Sequence, residues 1–196
     1  MKDLVLATKN AGKIREIKDL LGDFNINILS QEEACPEITV VEDADTFSGN
    51  ARKKAFEIMR ATSMPSIADD SGLEVSCLGG RPGVYSARYG GEDTPYSQKT
   101  AILLEEMKES SDRSARFACA LCLMLPSGEY FDIIDYCEGE IAYKAEGEGG
   151  FGYDPVFRIP DYNKTFAQIP LEIKNKISHR AKAFSKLKDI IKEIVE

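Results

Sequence analysis

The sequence lacks any apolar run near the roughly 18 residues that a membrane-crossing helix needs, which excludes a helical membrane protein. Basic charge is in short supply as well. Acidic residues number 33 against 25 basic ones, and a net charge of −8 opposes non-specific binding to nucleic acid, which depends on neutralising phosphates. A small anionic ligand on a local basic cluster stays open, and a metal ion there would cancel part of the repulsion. A disulfide framework is also missing: Cys35, Cys77, Cys119, Cys122 and Cys137 are odd in number and scattered. Cys119 and Cys122 form a C-x-x-C, but RFACALCLML reads as a buried strand, on which residues three apart face opposite sides. Histidine is nearly absent, His179 being the only one, so no histidine cluster completes a zinc site around that pair. A core role for these sulfurs is expected. The opening MKDLVLATKN has too short an apolar part for a secretory signal, which leaves a cytoplasmic location as the expectation.

What is present is ordinary globular material: 43% hydrophobic and 30% charged residues, enough for a substantial core in one domain spanning residues 1–196, or two lobes sharing that core. The densest chemistry lies in Ala68–Gly91, ADDSGLEVSCLGGRPGVYSARYGG. Ser66-Ile67-Ala68 reads as the end of a buried strand, followed by Asp69, Asp70, Ser71 and Gly72. Neighbouring strand residues point to opposite faces, so only one of the two carboxylates looks easily into a given cleft. The group is either a polar turn or a hard-cation site, since oxygen ligands suit Mg²⁺. Pro82-Gly83 suits the centre of a type II turn.

Along the chain, Leu4–Ala7 reads as a central strand. The segment Thr8, Lys9, Asn10, Ala11, Gly12, Lys13 then leads into an amphipathic helix with Ile14, Ile17, Leu20 and Leu21. A strand, a small polar loop and a helix start aim backbone N–H groups at an anion. This is not a Walker A loop, because Ala7 and Ile14 stand where its first glycine and its Ser/Thr belong. Ile26–Leu29 reads as a second strand, Glu32–Pro36 as a connection and Ile38–Val41 as extended. Thr46 is an N-cap candidate for a helix from Phe47 to about Ala61, with Phe47, Ala51, Ala55, Ile58 and Met59 inward. Glu42, Asp43 and Asp45 before it either complement the helix dipole or, for Glu42, add a carboxylate to a metal at Asp69-Asp70.

Pro95–Glu109 reads as a helix with Ala101, Ile102, Leu104 and Met107 inward. Phe117–Leu125 and Tyr130–Cys137 form a hairpin around Pro126–Glu129, and Gly139–Ala145 extends the meander. The glycine cluster Gly147–Phe157 carries Phe151, Gly152, Tyr153 and Asp154; its aromatics either stack on a nucleobase or anchor the loop. Lys174 precedes a terminal helix capped by Ser178, with Phe184, Leu187, Ile190, Ile191, Ile194 and Val195 inward. Arg180 in its first turn opposes the helix dipole, which invites a functional reason.

Six blocks together resemble the inosine triphosphate pyrophosphatase family, the dITP/XTP diphosphatases. They are T-x-N-x-x-K at Thr8–Lys13, EDADTF at Glu42–Phe47, ADDSGL, GGRPGVYSARY, GGFGYDP and SHRAKA, in order from Leu4 to about Ala183. The resemblance implies an α/β fold with a long central mixed sheet flanked by helices, two lobes with an intervening cleft, a homodimer, and Mg²⁺-dependent hydrolysis of a nucleoside triphosphate to the monophosphate and pyrophosphate. Carried over, Thr8, Lys9, Asn10, Ala11, Gly12 and Lys13 bind the triphosphate. Glu42 and Asp70 hold the metal, Asp70 is the general base, with Asp69 as the alternative, and Ser71 touches substrate. Phe151, Gly152, Tyr153, Asp154, Lys174, His179 and Arg180 form the base pocket. An arginine only donates hydrogen bonds, so Arg180 suits a 6-oxo purine and disfavours adenine. The chain departs from the family's habit at Ala44 (often Gly), Gly49 (often Glu) and Ala181 (often Gly). The loss of a glutamate at 49 removes a capping box after Thr46.

Overall fold

The computed structural model describes residues 3–22 and 24–195, and the side chains of all of these except residue 195. Val195, expected inward, therefore lies outside the described side chains. The chain divides into two compact units, the first made of Met1–Asp70, Cys119–Asp135 and Arg180–Glu196, the second of Ser71–Ala118 and Tyr136–His179.

The first unit begins with β1 (Asp3–Leu6), α1 (Ala11–Leu20), β2 (Asn27–Ser30), a short α2 (Gln31–Ala34) and α3 (Phe47–Thr62). The next strand, β3 (Ser66–Val75), carries the chain into the second unit, which holds α4 (Tyr96–Glu106). Both β4 (Ser114–Met124) and β5 (Tyr130–Ile141) contribute to each unit. Then come β6 (Phe157–Ile159), β7 (Lys164–Thr165) and α5 (Leu171–Ile177), after which α6 (His179–Val195) returns the chain to the first unit. The seven strands form one mixed sheet in the order β2-β1-β3-β4-β5-β6-β7, so the α/β expectation is met. Strand β1 lies parallel to β2 and β3, whereas β6 is antiparallel to β5 and β7. Among the described residues no helix is long and apolar enough to cross a membrane.

In the first unit Leu4 and Leu6 of β1, Ile17 of α1, Ile67 of β3, Leu121 of β4 and Phe184 and Leu187 of α6 share one core. Two caps fix the helices that border the candidate site. Asn10 Oδ1 accepts the Lys13 amide at 3.1 Å, and Thr46 Oγ1 accepts the Gly49 amide at 3.1 Å, each cap contributing about 1 kcal/mol. In the second unit the rings of Phe117 and Phe157 lie 4.5 Å apart, and those of Phe157 and Phe166 lie 5.1 Å apart. Leu103 of α4 and Met107, the residue after that helix, join the cluster. Arg113 is buried beside it, donating to the carbonyls of Met107, Ile141 and Ala142, so its charge is met by backbone oxygens. Cys119 and Cys122 are buried and outside any disulfide, in keeping with the core role expected of them.

Several expectations need correction. The acids Asp69 and Asp70 sit within β3, which runs on to Val75, and do not mark its end. Their turn-like composition is overridden by ionic partners from the helices, described below. Ile38–Val41, read as extended, pairs into no strand of the sheet, and Val41 is 63% exposed. Part of the Glu32–Pro36 connection is helical, as α2. In α4 the inward stripe is displaced: Leu103 is buried, while Ala101 and Ile102 are exposed. Lys99 shares the face of Leu103, its ammonium turned inside to donate to the carbonyls of Ala87 and Gly91, both at 2.7 Å. Pro82 adopts helical dihedrals after a cis Arg81–Pro82 bond, so the expected type II turn is replaced by a 3₁₀ turn over Gly83–Tyr85.

Candidate active site

Adjacent carboxylates on a strand face different surroundings, and β3 exploits this. Asp69 is buried against two cations: Lys13 Nζ on Oδ1, and Arg180 Nε at 3.0 Å from Oδ2. Arg180 in turn donates from Nη1 to Glu16 of α1. The result is a chain of alternating charge, Lys13, Asp69, Arg180, Glu16, buried at its last three members and half-buried at Lys13. Lys13 and Glu16 lie three residues apart on α1, hence on one helix face. Burial works against ionisation of Asp69, yet Arg180 and Lys13 outweigh it and hold the carboxyl well below its ordinary range. Burial likewise works against the Lys13 ammonium, and Asp69 more than offsets it, leaving the pKa raised.

Asp70 meets a different set. Its Oδ2 accepts from Asn50 Nδ2 at 3.1 Å, and its Oδ1 lies 3.6 Å from Lys54 Nζ. The same ammonium lies 3.2 Å from Glu42 Oε2 and donates to the Asp69 carbonyl at 2.9 Å. Burial pushes the Asp70 carboxyl above its ordinary value, with Glu42 adding to the rise against the opposing pull of Lys54, Lys13 and Asn50. Asn50 and Lys54 are four residues apart on α3 and so share a face. Asn50 also accepts the Ala44 amide at 2.9 Å through Oδ1, which ties the Glu42-bearing loop to the same helix.

The loop before α1 is ordered by its own side chains: Thr8 Oγ1 accepts the Asn10 amide at 3.2 Å, and Asn10 caps the helix. Ala11 and Gly12 open the first turn, where backbone N–H groups lack intrahelical partners. Lys9 is exposed and donates to the Pro36 carbonyl at 2.8 Å. Ser71 follows Asp70 on β3 and is half-buried.

The remaining candidates gather in the second unit. Lys174 and Asp154 form a buried ion pair at 2.7 Å, and Asp154 Oδ2 also accepts the Phe151 amide at 2.8 Å. The Lys174 ammonium lies 5.0 Å from the Phe151 ring centroid and 5.5 Å from that of Phe166. Gly150 has φ +72°, and a Cβ there would come within 2.0 Å of Asp154 Oδ2, so only glycine permits this approach. Gly152 follows with φ +67°. Tyr153 is an anchor: it is 2% exposed, packs edge-on to Tyr96 at 5.5 Å and donates to the Ser86 carbonyl at 3.0 Å. Phe151 is only half-buried. His179 is buried and stacks on Phe117 at 4.7 Å. Arg180, expected to donate to a purine oxygen, here commits Nε and Nη1 to carboxylates because a guanidinium buried to 2% exposure needs counter-charge.

Three residues of the first group escaped sequence reasoning: Glu16, Asn50 and Lys54. Their signal was present, since on α3 Asn50 and Lys54 interleave with Phe47, Ala51, Ala55 and Ile58 at core spacing. Polar residues on an apolar stripe need partners inside.

A divalent ion fits this arrangement. Among the described residues no cluster of three or more acidic, histidine or cysteine ligands occurs. Mg²⁺ does not need one, since it uses one or two carboxylates and completes its shell with water and phosphate. Two carboxylates and a carbonyl already converge on a single ammonium, a stand-in cation.

A mixed α/β sheet, a lysine-bearing helix start and an oxygen cage that accepts a cation together describe a protein equipped for a phosphorylated ligand. The chain belongs to the Ham1 family, whose profile matches residues 4–190. It is 47% identical over 197 residues to the dITP/XTP pyrophosphatase of Geobacillus kaustophilus, spanning 100% of this chain and 97% of that one. It is 46% identical over 204 residues to the dITP/XTP pyrophosphatase of Clostridium perfringens, with both chains fully covered. Among solved structures, the Staphylococcus aureus Ham1 protein superimposes with a TM-score of 0.89 at 38% identity, covering 98% of this chain and 99% of that one.

Proposed function

We propose that this chain hydrolyses non-standard purine nucleoside triphosphates, dITP, ITP and XTP, to the monophosphate and pyrophosphate, and so cleanses the nucleotide pool. The observation that carries the reading is the meeting of Glu42 and Asp70 on one cationic group. The names of the relatives point the same way. Glu42 and Asp70 hold Mg²⁺, which when bound neutralises phosphate oxygens and orients the substrate. Asp70 is the general base. Asn50 keeps it aimed by donating to its Oδ2 at 3.1 Å.

As a water oxygen bonds to the α-phosphorus, its proton passes to Asp70, and the bond from that phosphorus to the bridging oxygen breaks. Pyrophosphate leaves with its charge met by Lys13 and by the amides of Ala11 and Gly12, with Thr8, Lys9 and Asn10 shaping the loop. Ser71 contacts the substrate next to Asp70. Phe151 supplies the ring on which the base stacks, Lys174 and Asp154 hold that ring's loop in place with Gly152 and Tyr153, and His179 adds to the same pocket. The active species is a homodimer in the cytoplasm.

Assays with ITP, dITP, XTP, GTP and ATP in Mg²⁺ test this reading. The expected result is monophosphate plus pyrophosphate from the first three and far slower turnover of ATP. Comparable rates on ATP would remove the purine selectivity, and binding of ITP without pyrophosphate release would make the chain a nucleotide-binding module.

A further inference from the structure

Lys54 is a charged side chain, 8% exposed, in the middle of an apolar helix face. Its ammonium touches three oxygens: Asp69 O at 2.9 Å, Glu42 Oε2 at 3.2 Å and Asp70 Oδ1 at 3.6 Å. These include one oxygen from each carboxylate assigned to the metal. We propose that Lys54 is a placeholder cation, holding Glu42 and Asp70 together before a divalent ion binds and being expelled when it does. The inference rests on the metal site of the preceding reading.

Two physical points support it. The first is size: an ammonium sits 2.9–3.6 Å from these oxygens, whereas Mg²⁺ draws its ligands to about 2.0–2.1 Å, so both cannot occupy one oxygen cage. The second is the division of Asp70 between partners. Lys54 faces Oδ1 while Asn50 holds Oδ2, so the carboxylate keeps its orientation after the ammonium departs. A lysine suits the task because its charge is a point on a flexible four-carbon stem, able to leave without moving the helix. The placeholder lets a half-buried glutamate and a buried aspartate stay close without mutual repulsion, at the cost of competing with the metal.

Manganese titration without nucleotide, followed by the signal of the free ion, tests the competition. Lys54→Met should bind Mn²⁺ about tenfold or more tightly than the wild type, because one positive charge no longer opposes the ion. Equal or weaker binding in that variant would overturn the inference. Should the variant not fold, acetylation of Lys54 in the wild-type protein, read by mass spectrometry, gives a separate answer. Saturating Mg²⁺ should raise its reactivity severalfold, and unchanged reactivity would overturn the proposal. Wild-type protein that binds no Mn²⁺ would instead remove the metal reading itself, and this inference with it.

Discussion

Asp69 and Asp70 are neighbours on one strand, yet Asp69 is the anion of a buried salt-bridge chain and Asp70 is a carboxylate with raised proton affinity. Paired carboxylates pushed apart in this way take different roles. Asp69 is held by Arg180 and Lys13, whereas Asp70, aimed by Asn50, is the carboxylate proposed above as the general base.

Asp70→Asn should therefore lower kcat by about 10²–10⁴-fold while the thermal unfolding midpoint changes little or rises, since a buried destabilised charge is removed. Pyrophosphate release and a circular-dichroism melt measure the two effects. Near-normal turnover would take Asp70 out of the chemistry.

Asp69→Asn should do the reverse, destabilising the protein by about 3–5 kcal/mol in urea unfolding because Arg180 and Lys13 lose a buried partner. The same residue gives a pH signature. Its folded-state pKa lies below the unfolded value of about 3.9, so its contribution is complete above that pH and is lost as pH falls toward the folded value. Wild-type stability should fall more steeply below about pH 4 than that of the asparagine variant. Parallel acid-unfolding curves would contradict the assignment.

How much of this was legible beforehand follows from what each signal encodes. The helix start at Thr46 was readable because a capping side chain acts on amides within three residues. For Glu42 the sequence left two readings open, a dipole-complementing acid or a second carboxylate for a metal, because nothing local separates them, and the family resemblance implies the second. The extent of β3 was misjudged because Asp-Asp-Ser-Gly has turn composition, and the partners that keep it extended come from distant Lys13, Lys54 and Arg180. The displaced stripe on α4 and the inward face of α3 share one feature: Lys99 and Lys54 are buried lysines whose acceptors are far off in sequence. Tyr153 could be an anchor or a stacking platform on sequence alone, and only its burial decides for the anchor.

Ala44 and Gly49, both departures from the family's habit, are physically linked. A Cβ at position 49 would lie 2.8 Å from the Ala44 Cβ and 3.0 Å from Thr46 Oγ1, too close to the capping oxygen for either to yield easily. Gly49→Ala should thus destabilise by about 1–3 kcal/mol despite its better helix propensity, and Ala44→Gly should recover much of the loss. A denaturant double-mutant cycle reads the coupling, and additive effects would show that the two positions do not interfere.

The central claim, that water activated by Asp70 attacks the α-phosphorus, is tested most directly by hydrolysing ITP in water enriched in heavy oxygen and weighing the products. The account predicts the label in the nucleoside monophosphate and none in pyrophosphate. Label in the pyrophosphate, or release of orthophosphate in its place, would contradict it.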